Sequence, residues 1–275
     1  MRTGTLQVPG ASLYHEVRGS GPVLLMLPGG GGDAGVFDGI ADTLAARHTV
    51  VTFDPRGYSR SLLDSPGPVD QRVEVQSEDA HRLLDHLTPP GEDAYVYGSS
   101  SGAIVALDLL ARRPERLRLV VADQPPCAGL LPDPAERGFF EQVYAVFRAD
   151  GLGAAAAYFT AGIGGTLKPL PDPAGLPPRA AAMISRLGAN FPVFLEHELR
   201  QFTAYLPDEA ALAPVSDRLV LAVGEETRGH LPYRPAAALA GRLGGTVTEF
   251  PGGHSGYTDR PREFGQRLLD VLGRH

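Results

Sequence analysis

The chain has 275 residues, a formal net charge of −7, 43% hydrophobic and 21% charged residues, and one cysteine. An acidic balance without a basic patch argues against nucleic acid or an anionic membrane as partner, and a lone Cys127 excludes an internal disulfide and a cysteine metal cluster. With no apolar run long enough to span a bilayer and no signal-type apolar stretch at the N-terminus, the expected location is the cytoplasm.

Residues 5–8 and 12–18 predict a short antiparallel hairpin around Pro9-Gly10. Val23 to Leu27 is a continuous apolar run, as a strand buried on both faces requires, and it ends in Pro28-Gly29-Gly30-Gly31-Gly32-Asp33. A helix over about Phe37–Ala46 and a strand over Val50–Phe53 follow, closed by Asp54-Pro55-Arg56-Gly57-Tyr58-Ser59-Arg60-Ser61. A helix from about Val73 to Leu87 then leads to the run Tyr95-Val96-Tyr97, a small-residue turn and an apolar helix through Leu110. After the strand Leu117–Ala122 the alternation stops. From Asp123 to about Pro214 only helical spacing is visible, as in Phe140, Tyr144 and Phe147 or Leu195, Leu199 and Phe202. Pro169, Pro171, Pro173, Pro177 and Pro178 mark a connector within it. Strands resume at Leu219–Val223 and Thr246–Phe250, and a helix from about Glu263 to Leu272 closes the chain. Strands separated by crossover helices predict a mostly parallel sheet covered on both faces. The helical stretch reads as a lid over the C-terminal ends of the strands, where such sheets place ligands.

Gly98-Ser99-Ser100-Ser101-Gly102 matches G-x-S-x-G, with Ser100 at a strand-to-helix turn too tight for larger neighbours. Such a turn lifts the hydroxyl out of the sheet, and the new helix aims its first N–H groups at any oxyanion formed there. Alone the motif is weak in a Gly- and Ala-rich chain, but three stretches converge on it. The Gly29–Gly32 loop lets backbone approach a reacting carbonyl, so the N–H groups of Gly30 and Ser101 are candidates for a two-donor oxyanion hole. No Gly-Lys-Ser/Thr follows, which disfavours a phosphate loop. Pro251-Gly252-Gly253-His254 follows the last strand and puts His254 at the same sheet edge, as a candidate general base. The carboxylate is ambiguous. Glu225 and Glu226 follow the strand ending at Val223 and give the order Ser, acid, His, whereas Asp123 ends the preceding strand. Neighbouring side chains on a strand point oppositely, which counts against Asp123 unless the strand has ended there.

On these residues the chain resembles the α/β-hydrolase superfamily over nearly its whole length. Leu27-Pro28-Gly29-Gly30 looks like the oxyanion loop, with Pro28 where a histidine is common. Phe53 to Ser61 resembles D-x-R-G-x-G-x-S with Ser59 in place of its second glycine, and Gly98–Gly102 and Pro251–His254 look like the elbow and the histidine loop. The elbow with its helix, the Ser59-Arg60-Ser61 ending and Asn190-Phe191-Pro192-Val193 are also similar to zearalenone lactone hydrolases and related bacterial hydrolases. In that subgroup the strand after the elbow helix ends in a His-Glu-x-Pro type sequence whose glutamate can be the triad acid. Here it reads Asp123-Gln124-Pro125-Pro126, an amide that can hold an imidazole but not stabilise an imidazolium by charge. The superfamily's commoner acid position falls near Thr227, one beyond Glu226, so Glu226 is the first choice and Asp123 the second.

The resemblance implies an α/β-hydrolase fold: a mostly parallel eight-stranded sheet flanked by helices, with an all-helical lid after the sixth strand. Residues 1–126 and 215–275 would form the core domain and 127–214 the helical cap. It implies a serine hydrolase for an ester or lactone of an apolar small molecule, acting through Ser100, His254 and Glu226 or Asp123, without metal or organic cofactor, as a monomer or homodimer. The lid aromatics Phe139, Phe140, Tyr144, Phe147, Phe159, Phe191, Phe194, Phe202 and Tyr205 allow an apolar pocket, although most would pack the lid onto itself. Two readings compete. One is a thioesterase, acyl-transfer or cyclisation enzyme with the same site. The other, kept open by Gln124, is a degenerate hydrolase that binds a small ligand without turnover.

Overall fold

A computed structural model describes residues 1–165 and 173–274. Its strands join in one sheet, antiparallel at one edge and parallel through the rest. Strands β1 (Arg2–Val8) and β2 (Ala11–Arg18) form the antiparallel hairpin, turning at Gly10 with φ 81°. β2 pairs antiparallel with β4 (Thr49–Phe53), and from there β3 (Val23–Leu27), β6 (Ala94–Ser99), β7 (Leu117–Asp123), β8 (Leu219–Gly224) and β9 (Thr248–Phe250) are all parallel. The eight strands on this path are those the sequence indicates. A ninth, β5 (Leu62–Leu63), pairs with the start of β2. Two residues carry no readable periodicity, which is why sequence reasoning passes over it.

The central strands alternate between two buried layers, as a pleat covered on both sides must. Leu25, Leu27 and Val96 join one core with α2 (Val73–Leu87) and α3 (Ser101–Arg112). Leu24, Met26, Tyr95 and Tyr97 join the other with α1 (Asp38–Ala45) and the closing helix Pro261–Leu272.

Between β7 and β8 the described residues contain only helices and loops: α4 (Pro134–Arg137), α5 (Phe139–Asp150), α6 (Leu152–Gly162), α7 (Pro178–His197), α8 (Leu199–Thr203) and α9 (Glu209–Leu212). Pro169 and Pro171 lie outside the described residues. Pro177 and Pro178 cap and start α7, where a missing N–H costs nothing. The apolar row Leu195, Leu199, Phe202 is divided between α7 and α8 by Glu198, whose φ of −127° interrupts the helix. Phe140, Val143, Ala155, Phe194, Leu195 and Leu199 form a third core, separate from those of the sheet, while Phe202 and Leu212 pack into the α3 side of the sheet. One further helix, α10 (Tyr233–Arg242), makes the crossover from β8 to β9, followed by α11 (Gly256–Asp259) and α12, the closing helix. The sequence reading assigns no element to residues 233–242. Pro235 obscures α10 there, but it sits in the first turn, where proline is tolerated.

Candidate active site

Ser100 joins β6 to α3 with φ 53° and ψ −117°, a left-handed conformation that costs a non-glycine residue about 1–3 kcal/mol. Its N–H donates to Asp123 O at 2.9 Å and its carbonyl accepts from Ala103 N at 2.9 Å, so both sides of the strained residue are fixed. A side chain at Gly98 would strike the backbone of Gly102, and one at Gly102 the carbonyls of Leu27 and Pro28. The two glycines of the motif are thus set by close approach, β6 against its own helix and that helix against the end of β3.

The glycine loop arrives beside this turn because β3 and β6 run in register, Leu27 opposite Gly98. A Cβ on Gly29 would lie 3.3 Å from Ser100 Cβ, and one on Gly30 would enter the Phe194 ring. Ser101 is the first residue of α3, so its N–H is among those left without an intrahelical acceptor. The loop is braced from beneath. Ala34 N–H donates to Asp54 Oδ1 at 2.9 Å, and Arg60 grips the same buried carboxylate through Nε at 2.7 Å and Nη2 at 2.8 Å. Ser59 Oγ donates to Asp33 Oδ2 at 3.0 Å, and Asn190 of α7 donates to both Gly31 O and Ser59 Oγ at 2.9 Å. Phe53 to Ser61 therefore supports the glycine loop rather than contributing groups to the cavity. Tyr58 carries the same bracing into the helices between β7 and β8, donating at 2.7 Å to Glu198, whose carboxyl is pushed up by burial.

His254 lies in the loop after β9 and borders the same space as Ser100. Its Nδ1 is buried without a hydrogen-bond partner, and burial lowers the imidazole to about 4. The ring is therefore neutral at ordinary pH, the form a general base needs.

Neither candidate carboxylate is hydrogen-bonded to that nitrogen. The turn Glu225–Thr227 buries Thr227, whose hydroxyl caps the carbonyl of Gly224 at 2.7 Å, and turns Glu226 outward. The Glu226 carboxylate is 51% exposed and ion-paired with Arg260, at the rim of the histidine loop, where Oε2 comes within 3.9 Å of a Cβ built on Gly253. Asp123 is 1% exposed, accepts from Tyr97 OH at 2.7 Å, and is raised by burial to about 6. Gln124 sits between Asp123 and the histidine loop: its Nε2 donates to Asp123 Oδ1 at 3.3 Å and to Gly253 O at 3.4 Å. The strand has ended at this point, for Gln124 has φ 53°, so strand alternation does not govern where its side chain goes.

Two cavities meet at Ser100 and His254, with Phe159, Ile163 and Phe194 common to both. One, narrow at about 20 Å³, is apolar and runs under Phe140, Leu199, Leu231, Pro232 and Pro235. The other, of about 280 Å³, is more open and is floored by Gly29–Gly32 with Val36, Phe191 and Tyr257. Of the nine aromatics named above between β7 and β8, Phe140, Phe159, Phe191 and Phe194 face these spaces. The others pack elsewhere: Phe139 stacks on Tyr158, Tyr144 lies under Arg200 and bonds Glu196, Phe147 packs into the third core, Phe202 is buried against the sheet, and Tyr205 bonds Asp108. Leu231, Pro232, Pro235 and Tyr257 are missed by sequence reasoning. The signal lay in the topology, since they follow β8 and β9 at the edge that holds Ser100.

Among the described residues no group of three or more His, Cys, Asp or Glu side chains is placed to hold a metal ion, and no helix is long and apolar enough to cross a membrane. Over 280 residues the chain is 39% identical to a hydrolase called YraK from Bacillus subtilis (strain 168), covering 99% of this chain and 96% of that one. It is 34% identical over 133 residues to a zearalenone hydrolase from Bionectria ochroleuca, 46% of this chain and 48% of that one. In fold it matches the solved enol-lactonase from Burkholderia xenovorans LB400, with a TM-score of 0.73 and 19% identity over 98% of this chain and all (100%) of that one. The model of the alpha/beta hydrolase family matches residues 24–267, and with the parallel sheet, the strained serine turn and the histidine loop it makes the chain an enzyme of that family.

Proposed function

We propose that this enzyme cleaves a carboxylic ester or lactone of an apolar small molecule through an acyl-enzyme on Ser100. The observation that carries the reading is Ser100, held at φ 53° on a strand-to-helix turn and bordering both cavities together with His254. His254 takes the Ser100 proton as the hydroxyl attacks the carbonyl carbon, then returns it to the leaving oxygen. The N–H groups of Gly30 and Ser101 hold the tetrahedral oxyanion. Water, activated by the same imidazole, then releases the acyl group. The helices between β7 and β8 act as the cap of a core made by residues 1–126 and 215–275, and they supply the aromatic walls of both cavities. Among the described residues those walls carry no ionised side chain, since burial keeps His254 neutral and pushes the Tyr257 hydroxyl up to about 12, which favours uncharged substrates.

Intact-mass labelling with a fluorophosphonate tests the reading. One adduct on the wild type that disappears in Ser100→Ala supports it; no adduct over hours counts against it. A second reading, ligand binding without turnover, is favoured by one observation: no carboxylate bonds His254 Nδ1. Failure to label would move the balance to it. The thioesterase or acyl-transfer variant uses the same acyl-enzyme and is separated by its products, since water and an internal hydroxyl release different acyl compounds.

A further inference from the structure

A base that accepts a proton at Nε2 must carry its own proton on Nδ1, and that N–H needs an acceptor. In this protein the Nδ1 of His254 is buried with no partner. So is the Oε1 of Gln124. The two orphans belong to adjoining loops, for the nitrogen of the same Gln124 amide reaches Gly253 O, the carbonyl bonded to the His254 nitrogen, at 3.4 Å. Buried polar atoms without partners are costly, and these two are complementary, a nitrogen that can carry a proton and an oxygen that accepts one.

The rest of the geometry is arranged around that amide. Among the described residues Gln124 is one of three non-glycine residues with positive φ, and its N–H is tied to Ala222 O at 2.9 Å. This takes its side chain off the strand direction and across to the histidine loop. Behind it stands Asp123, engaged by Tyr97 OH at 2.7 Å on one oxygen and by Gln124 Nε2 at 3.3 Å on the other.

We propose that Gln124 is the positioning residue for His254, its Oε1 accepting the Nδ1–H while its Nε2 remains on Asp123. The inference rests on the serine-hydrolase reading above and replaces its directly bonded acid with a relay of carboxylate, amide and imidazole. An amide oxygen can only accept, so it enforces the same tautomer that a carboxylate would. What it lacks is charge, and the Asp123 carboxylate supplies that from one hydrogen bond further away. No proton passes along the relay. Ser100 loses its proton to Nε2, the resulting imidazolium keeps both of its protons until the leaving oxygen takes one, and Gln124 stays neutral throughout. The other polar groups facing the histidine loop are the Glu225–Arg260 and Glu226–Arg260 ion pairs at the rim and Tyr257 beyond it.

The test measures fluorophosphonate labelling of Ser100 and hydrolysis of p-nitrophenyl butyrate from pH 4 to 9 in Gln124→Met, Gln124→Glu and Asp123→Asn. Methionine keeps the length of glutamine but cannot accept the N–H. It should slow labelling at pH 7 by about tenfold or more, in line with the loss of a group that orients a catalytic histidine. Asp123→Asn should fall between it and the wild type. Gln124→Glu puts a carboxylate against Nδ1 and should match or exceed the wild type, with the acidic limb of its pH profile moved upward from near 4. Gln124→Met labelled at the wild-type rate overturns the proposal, as does Gln124→Glu with an unmoved pH profile. The second criterion decides alone if the methionine variant does not fold. A wild type that is never labelled overturns the underlying hydrolase reading first, and this inference with it.

Discussion

Asn190 on α7 donates to the carbonyl oxygen of Gly31 at 2.9 Å, across 159 residues of chain. The same amide donates to Ser59 Oγ and accepts the N–H of Ser59 at 3.2 Å, at only 4% exposure. Removing it leaves buried groups unpaired, at about 1–3 kcal/mol. Asn190→Ala should therefore lower the thermal midpoint and slow labelling of Ser100 about tenfold, because the glycine loop loses its brace. Labelling at the wild-type rate despite a lower midpoint would show that the loop holds its shape without α7.

The pH profile of labelling should keep its main acidic limb below about pH 5, with a shallower step near 6 where Asp123 takes up a proton and the relay loses its charge. His254 is held near 4 by burial, so its basic form persists well below the pH at which a free imidazole protonates. An acidic limb centred at 6.5 or above would mean that His254 is either well solvated or already paired with a carboxylate.

Stability carries two opposed pH terms. His254 has its folded pKa depressed, so the unfolded chain holds the proton more tightly, and stability falls as pH drops from about 6.5 toward 4. Asp123 has its folded value raised to about 6, so its contribution is present at low pH and is lost as pH rises from the ordinary carboxylate range through 6. Asp123→Asn removes only the second term. The difference in unfolding midpoint between wild type and Asp123→Asn should change between pH 4 and 7 and be flat above that. A constant difference would place the Asp123 titration elsewhere.

Glu226→Gln and Asp123→Asn separate the two carboxylates. Since Glu226 is half exposed on Arg260 and Asp123 is buried behind Gln124, the larger loss of kcat on a p-nitrophenyl ester is expected for Asp123→Asn. The reverse order would return the role to Glu226 through a rearranged rim.

Phe194 lines both cavities and lies against Gly30, so Phe194→Ala should widen the space where they meet. We expect the optimum in a series of p-nitrophenyl esters to move to longer acyl chains, with a destabilisation of about 3–5 kcal/mol for the emptied core position. An unchanged chain-length optimum would mean that substrate occupies only one cavity.

The sheet was legible because the chemistry of a two-sided parallel strand is loud: five buried residues in Val23–Leu27, and glycine or proline at each exit. β5 and α10 were not, the first being too short and the second carrying Pro235. Ser100, His254 and the glycine loop were readable because each follows a strand at the same edge. The carboxylate was not. Its position depends on how Gln124 leaves β7 and on which residue of Glu225–Thr227 turns inward, and those are decided by φ angles and tertiary bonds that no spacing records. The cavity walls from residues 231–235 escaped for the same reason, since only the fold brings them beside residues of the lid.

Arg186, Asn190 and Phe194 are four residues apart along one face of α7, and they engage Asp33, Gly31 and Gly30 in turn. One helix thus serves both as a wall of the cavities, through Leu187, Phe191 and Phe194, and as the clamp on the loop proposed to hold the oxyanion. A substitution that reshapes this wall also acts on the clamp, so the fit of a guest and the rate of its conversion are expected to change together.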